Sequence, residues 1–222
     1  MIYKALIFDM DGTIIETEQA WAQATRKLIE QKTGSCPISL YDSIREKIQG
    51  LDITNSCKVI KEMACITDDL KTLCAEKEEL AHAFYKKGIV FIEGFEEFHE
   101  KLLTRGIKTA IATNARSSTI QHTQDALNIK RFFGKHIYGL DLVEKGKPHP
   151  DIYLFASDKI GVDPRLCVSL EDSAHGIKAA KQAGMFSIGI NTTKIYAQVA
   201  GADYIVDAYK DIDIDMLFEA VK

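Results

Sequence analysis

The chain has 222 residues, 46% of them hydrophobic and 27% charged, and a formal net charge of −4. This is the balance of a soluble globular protein with one sizeable core, or a core plus a smaller module. No basic stripe points to nucleic acid, and no apolar run approaches the roughly 20 residues that a bilayer crossing needs.

The chain opens on Ile2-Tyr3-Lys4-Ala5-Leu6-Ile7-Phe8-Asp9-Met10-Asp11-Gly12-Thr13. An apolar run with little polar alternation reads as a strand buried on both faces, as in a parallel sheet. Its two acids then lie at the carboxyl end, where open α/β sheets place their ligands, and being two apart they share a face. Carboxylates about 5 Å apart repel by roughly 3 kcal/mol at an effective dielectric near 20, so a metal ion or a lysine should sit between them. The competing reading is an Asx turn in which Asp11 bonds its own backbone. Met1 leads straight into this strand with no cationic region before it, so no signal peptide is expected.

Residues from about 17 to 88 look wholly helical. The stretch 18–33 carries Trp21, Ala24, Leu28 and Ile29 at helical spacing, with Gly34 as a stop. Shorter helices are expected over 41–48 and 54–63, and a longer, charge-laced one over 68–87. From Gly94 onward strands and helices alternate: helix 95–105, strand 107–113, helix 117–127, short strand 136–140, helix 150–160, strand 166–170. Helix 173–183, strand 185–190, strand 204–206 and a helix from 212 complete the series. Such alternation predicts βαβ units: an α/β fold with a doubly wound, Rossmann-like parallel sheet, interrupted by an inserted all-helical module. The expected division is 1–15 and 88–222 for the core and 16–87 for the insert.

The five cysteines (Cys36, Cys57, Cys65, Cys74, Cys167) are odd in number and form no Cys-x-x-Cys. Reduced thiols and a cytoplasmic protein are expected. The six histidines form no zinc pattern.

Each core strand should deliver its last residues to one edge of the sheet. The first delivers Asp9 and Asp11, the next Thr113 and Asn114. The segment after the third carries Lys147, and the fourth delivers Glu171 and Asp172. These groups suit phosphoryl chemistry. A carboxylate can attack phosphorus to give an aspartyl-phosphate. Paired carboxylates suit Mg²⁺, a hard ion with oxygen ligands. A lysine and a hydroxyl can hold the phosphoryl oxygens, while a second acid, still protonated, donates to the leaving oxygen.

The four ordered motifs Asp9-Met10-Asp11-Gly12-Thr13, Thr113, Lys147 and Glu171-Asp172 resemble the phosphotransferase branch of the haloacid dehalogenase (HAD) superfamily. The wider strings Ala112-Thr113-Asn114, Gly146-Lys147-Pro148-His149-Pro150-Asp151 and Glu171-Asp172-Ser173-Ala174-His175-Gly176-Ile177 are similar to its β-phosphoglucomutase-like subgroup. The resemblance covers nearly the whole chain. It implies a Mg²⁺-dependent phosphatase of a small phosphorylated metabolite, a sugar or polyol phosphate, with Asp9 as nucleophile and metal ligand. It further implies that Asp11 binds the ion through its backbone oxygen and serves as acid and base. Asp172 would complete the metal ligands, with Glu171 near or coordinating. Thr113, the backbone after it at Asn114, and Lys147 would grip the phosphoryl group. The helical insert would be a cap closing over the site.

Departures from the subgroup narrow the chemistry. Its mutases carry a cap arginine shortly after a glycine; following Gly50, that place falls at Ile53. They also carry a cap histidine near the hinge, where Trp21 stands here. Hydrolysis is therefore expected ahead of the mutase alternative, and the second acid, Asp11, excludes a dehalogenase. A phosphoaspartate signalling receiver shares the paired acids, hydroxyl and lysine but lacks a seventy-residue insert. Arg116 either reaches substrate oxygens or is solvated at a helix start, and Trp21 either packs within the cap or faces substrate.

Overall fold

In the computed structural model, which describes residues 3–48 and 51–218, the opening apolar run forms strand β1 (Ala5–Phe8). The chain continues through β2 (Ile15–Glu16), α1 (Glu18–Thr33), α2 (Ile38–Ile48), α3 (Ile53–Met63), α4 (Leu70–Tyr85) and β3 (Val90–Phe91). Then come α5 (Phe95–Thr104), β4 (Lys108–Ala112), α6 (Ser117–Leu127), α7 (Lys130–Phe133), β5 (Ile137–Tyr138) and α8 (Asp151–Ile160). The last elements are β6 (Cys167–Glu171), α9 (Ala174–Gln182), β7 (Phe186–Ile190), α10 (Tyr196–Val199), β8 (Tyr204–Val206) and α11 (Ile214–Leu217).

Six strands make one parallel sheet in the order β5-β4-β1-β6-β7-β8. Strand β1 is central because both its faces are apolar. Leu6 and Phe8 pack with Phe95, Phe98 and Phe133 on one side, and Ala5 and Ile7 with Ile152, Tyr153 and Ala179 on the other. Burial of each large apolar side chain contributes about 1.5–3 kcal/mol. The chain runs outward from β1 through β4 to β5 and then crosses back to β6 on the opposite flank. That reversal puts a topological switch point at the carboxyl end of β1.

Helices α1 to α4 form a separate small core around Leu28, Ile29, Ile44, Cys57, Ile60 and Leu73. Two of them start on aspartate caps: Asp52 accepts from the Asn55 amide and Asp69 from the Thr72 amide, each at 3.0 Å. Such caps contribute about 1 kcal/mol each. Helix α1 ends at Gly34 in the left-handed region, as its expected stop.

The differences from expectation have local causes. Helix α2 begins at Ile38, directly after Pro37, rather than at 41; Ile38 is exposed, so periodicity does not mark it. The chain leaves and re-enters the core through an antiparallel ribbon, Ile15–Glu16 against Val90–Phe91, which is too short to leave an alternation pattern. The four-residue helices α7 and α10 are equally patternless. The helix expected from 212 is seen as Ile214–Leu217, and the start of the first strand at Ile2, like Gly50, lies outside the described residues. Among the described residues no helix is long and apolar enough to cross a membrane.

Candidate active site

Strand register brings the motif residues level. Phe8 pairs with Ile111 of β4 and Leu170 of β6, so Asp9, Thr113 and Glu171-Asp172 leave the sheet at the same edge. The Asp9 amide extends the ladder by donating to Leu170 O at 2.9 Å. Lys147 arrives from the segment before α8 and is fixed through its backbone. Its amide donates to Asn114 Oδ1 at 2.8 Å, and Asn114 Nδ2 donates to Lys147 O at 3.3 Å. The Asn114 side chain thus positions the lysine, and the residue also lines the cavity next to Thr113. Thr113 is buried, and its hydroxyl oxygen accepts from the Ala115 amide at 3.0 Å, which leaves its hydrogen free to donate.

Lys147 Nζ donates to Asp9 Oδ1 and, at 2.6 Å, to Glu171 Oε1. Glu171 is fully buried and also accepts from Tyr153 Oη at 2.5 Å and Ser173 Oγ at 3.2 Å. Helix α9 lies against this carboxylate at Gly176, where a Cβ would overlap it. Burial works against the Lys147 charge, but Asp9 and Glu171 more than compensate and raise its pKa.

Asp9, Glu171 and Asp172 each offer an oxygen within 4.8 Å of the others. Burial pushes the Asp9 carboxyl up to about 7, with Lys147 opposing the rise and Glu171 and Asp11 adding to it. Burial, then Asp9 and Glu171, holds Asp172 well above the usual carboxylate range. Asp172 is pressed against Gly12, whose φ of +81° and lack of a side chain the approach requires, and Thr13 Oγ1 donates to its Oδ1 at 3.4 Å. Three carboxylates facing one ammonium leave uncompensated negative charge, and hard oxygen donors of this kind fit Mg²⁺.

Asp11 points elsewhere. Its Oδ1 accepts from Thr17 Oγ1 at 2.7 Å and Tyr85 Oη at 3.0 Å, and Tyr85 Oη accepts in turn from Trp21 Nε1 at 3.1 Å. Burial raises the Asp11 pKa against these three donors. Trp21 packs on the helical core and also lines the cavity. Sequence reasoning did not find Tyr85, because it comes from the far end of α4.

A cavity of about 790 Å³ separates the sheet edge from α1–α4, with Asp9, Asp11, Thr113, Lys147 and Asp172 on the core side and Trp21, Lys77 and Glu78 opposite. Arg116 spans it, with Nη1 3.5 Å from Glu78 Oε2 and Nη2 donating to Thr54 Oγ1 at 3.2 Å. His82 Nε2 lies 2.9 Å from Thr119 Oγ1, a second tie between α4 and α6.

Fold and edge together define a capped, parallel-sheet hydrolase. The haloacid dehalogenase-like hydrolase family model matches residues 6–190, and the chain belongs to that family. A phosphorylated carbohydrates phosphatase of Thermotoga maritima is 29% identical over 182 residues, 82% of each chain. A β-phosphoglucomutase of Bacillus subtilis is 29% identical over 225 residues, covering 97% of this chain and 94% of its own. The crystal structure of a HAD hydrolase, family IA, variant 3, from Entamoeba histolytica matches with a TM-score of 0.84 at 26% identity over 96% of both chains.

Proposed function

We propose that the protein is a Mg²⁺-dependent phosphatase of small phosphorylated carbohydrates that works through a phosphorylated Asp9. The observation that carries this reading is the Asp9 carboxylate held by Lys147 beside Asp172, at the end of the central strand and facing the cavity. Residues 1–15 and 88–222 would act as the catalytic core and 16–87 as the cap. The buried free thiols Cys36, Cys57, Cys74 and Cys167 favour a reducing compartment, the cytoplasm.

Asp9, Asp172 and the backbone oxygen of Asp11 would hold Mg²⁺, with Glu171 beside them holding Lys147; the bound ion supplies charge neutralisation between nucleophile and phosphate. An Asp9 oxygen attacks phosphorus, the ester P–O bond breaks, and the Asp11 carboxyl gives its proton to the departing sugar oxygen. Water then attacks the phosphoryl group, the Asp9–phosphorus bond breaks, and Asp11 takes up the water proton. Lys147 and the Thr113 hydroxyl hold the phosphoryl oxygens, where charge accumulates. Thr17 and Tyr85 both bond Oδ1, which holds this cavity-lining carboxyl in place and leaves Oδ2 for the two proton transfers. Cap closure excludes water during the first step and release follows opening.

The B. subtilis relative makes a mutase the second reading. Ile53, buried at the position of the mutases' arginine, and Trp21 in place of their histidine favour hydrolysis. Phosphate release from a panel of sugar and polyol phosphates tests the proposal. Repeated turnover with Mg²⁺, abolished by EDTA, is expected. Isomerisation without phosphate release supports the mutase instead, and a stable phosphoprotein without turnover supports a signalling receiver.

A further inference from the structure

Glu78, His82 and Tyr85 follow one another at helical spacing along α4, so their side chains share one face. All three meet the core. Arg116 Nη1 lies 3.5 Å from Glu78 Oε2, His82 Nε2 lies 2.9 Å from Thr119 Oγ1, and Tyr85 Oη donates to Asp11 Oδ1 at 3.0 Å. The first two partners belong to the start of α6, the third to the segment after β1. The His82 ring also lies on that of His122 of α6, with centres 4.0 Å apart and planes 37° from parallel.

The three contacts are not equivalent. Glu78 and Arg116 lie on the cavity wall with side chains 13% and 35% exposed, where solvent competes for both charges and an ion pair contributes little. His82 and Thr119 are the shielded pair, 9% and 1% exposed. A threonine hydroxyl both donates and accepts, so it answers the imidazole in either neutral tautomer. Burial, with His122 and Lys86 adding to it, lowers the His82 pKa to about 4, so the ring sits in this joint uncharged. His82 is about one helical turn from Tyr85, and their rings meet edge to face at 6.0 Å. A shift of α4 on α6 therefore moves Tyr85 Oη relative to Asp11, and the His82 contact is the buried one that resists it. His82 itself does not line the cavity, so its influence runs through the placement of α4.

We propose that His82 is a positioning residue: held by Thr119 and His122, it docks α4 on α6 and so keeps Tyr85 on the Asp11 carboxyl. This rests on the phosphatase reading, in which Asp11 is acid and base, and adds to it a residue that touches neither substrate nor metal.

A double-variant cycle on kcat tests it. His82→Ala should lower kcat about 5- to 10-fold with KM nearly unchanged, the loss expected of Tyr85→Phe, because a residue acting through one hydrogen bond costs no more than that bond. In the Tyr85→Phe background the same substitution should cost less than about twofold more. His82→Gln, which keeps a polar group where Nε2 stands, should recover most of kcat. Thr119→Val removes the same hydrogen bond from the other side with little change in volume, and it carries the cycle should His82→Ala not fold. A role in packing alone predicts independent losses that multiply. Multiplying losses, a loss confined to KM, unchanged kcat, or a glutamine variant no better than alanine overturns the proposal. If the wild-type protein hydrolyses no phosphate ester with Mg²⁺, the phosphatase reading fails separately. The joint is then judged by acrylamide quenching of Trp21, the chain's one tryptophan, which lines the cavity. Stronger quenching in His82→Ala at unchanged circular dichroism, reversed in His82→Gln, supports the joint; equal quenching in the two variants and the wild-type protein overturns it.

Discussion

Tyr85 Oη donates to Asp11 Oδ1 at 3.0 Å, tying the last turn of a cap helix to the residue two beyond the proposed nucleophile. Tyr85 is itself nearly inaccessible and accepts from Trp21. The proposed acid and base is therefore held by the helical unit rather than by the sheet. Tyr85→Phe should lower kcat about 5- to 10-fold with KM nearly unchanged, since a neutral hydrogen bond is worth about 1 kcal/mol. Trp21→Phe should give a smaller loss, and the double variant should lose less than the product of the two. Steady-state kinetics on one ester decides this; a change confined to KM would assign Tyr85 to substrate contact instead.

Asp9→Asn should abolish turnover, and Asp11→Asn should reduce it at least about 100-fold with folding intact. Retained Mg²⁺-dependent hydrolysis in Asp9→Asn would reject the nucleophile. Near-normal rates in Asp11→Asn would reject the acid and base.

Asp172 is a buried carboxylate crowded by Asp9 and Glu171. Asp172→Asn should therefore raise stability in EDTA, by about 1–2 kcal/mol, while removing the stabilisation that Mg²⁺ gives the wild-type protein. Melting curves with and without Mg²⁺ check both signs at once. An equal Mg²⁺ shift in the variant would place the ion elsewhere.

At Gly176 a methyl group would overlap the Glu171 carboxylate. Gly176→Ala should cost about 3 kcal/mol or more, because backbone and a pinned carboxylate must move apart. Activity should fall with it, as Glu171 holds Lys147. Urea midpoints and phosphate release measure the two effects.

Two histidines set an acid limit on stability. Burial lowers the pKa of both His82 and His99 to about 4, with His122 and Lys86 adding to the effect at His82. Unfolded histidine takes a proton near pH 6.5, so their contribution is complete above that value and is lost as pH falls from about 6.5 to about 4. The loss should be about 2–3 kcal/mol for each. His99 sits among Phe95, Phe132 and Phe133 with Nδ1 unpartnered among the described residues, so His99→Phe should flatten the profile. Urea midpoints across this range check it.

Much of the site can be read along the chain because parallel strands end where their polar residues begin. Asp9, Thr113 and Asp172 follow apolar runs that the sheet sets in register, and Lys147 sits in a short charged loop beside them. What could not be read depends on contacts between distant segments. Tyr85 and Trp21 meet Asp11 only because α1 packs on α4. The Asn114 side-chain amide is engaged by the Lys147 backbone, a pairing across 33 positions. The ribbon of β2 and β3 carries too few residues to show a period.

That ribbon has a consequence for how such molecules diversify. Both passages between the two units run through four paired residues joined by main-chain hydrogen bonds, which are indifferent to side-chain identity. Evolution can therefore swap or reshape the helical piece like an interchangeable tool head, altering which compound is admitted while the bond-breaking apparatus beneath is inherited untouched.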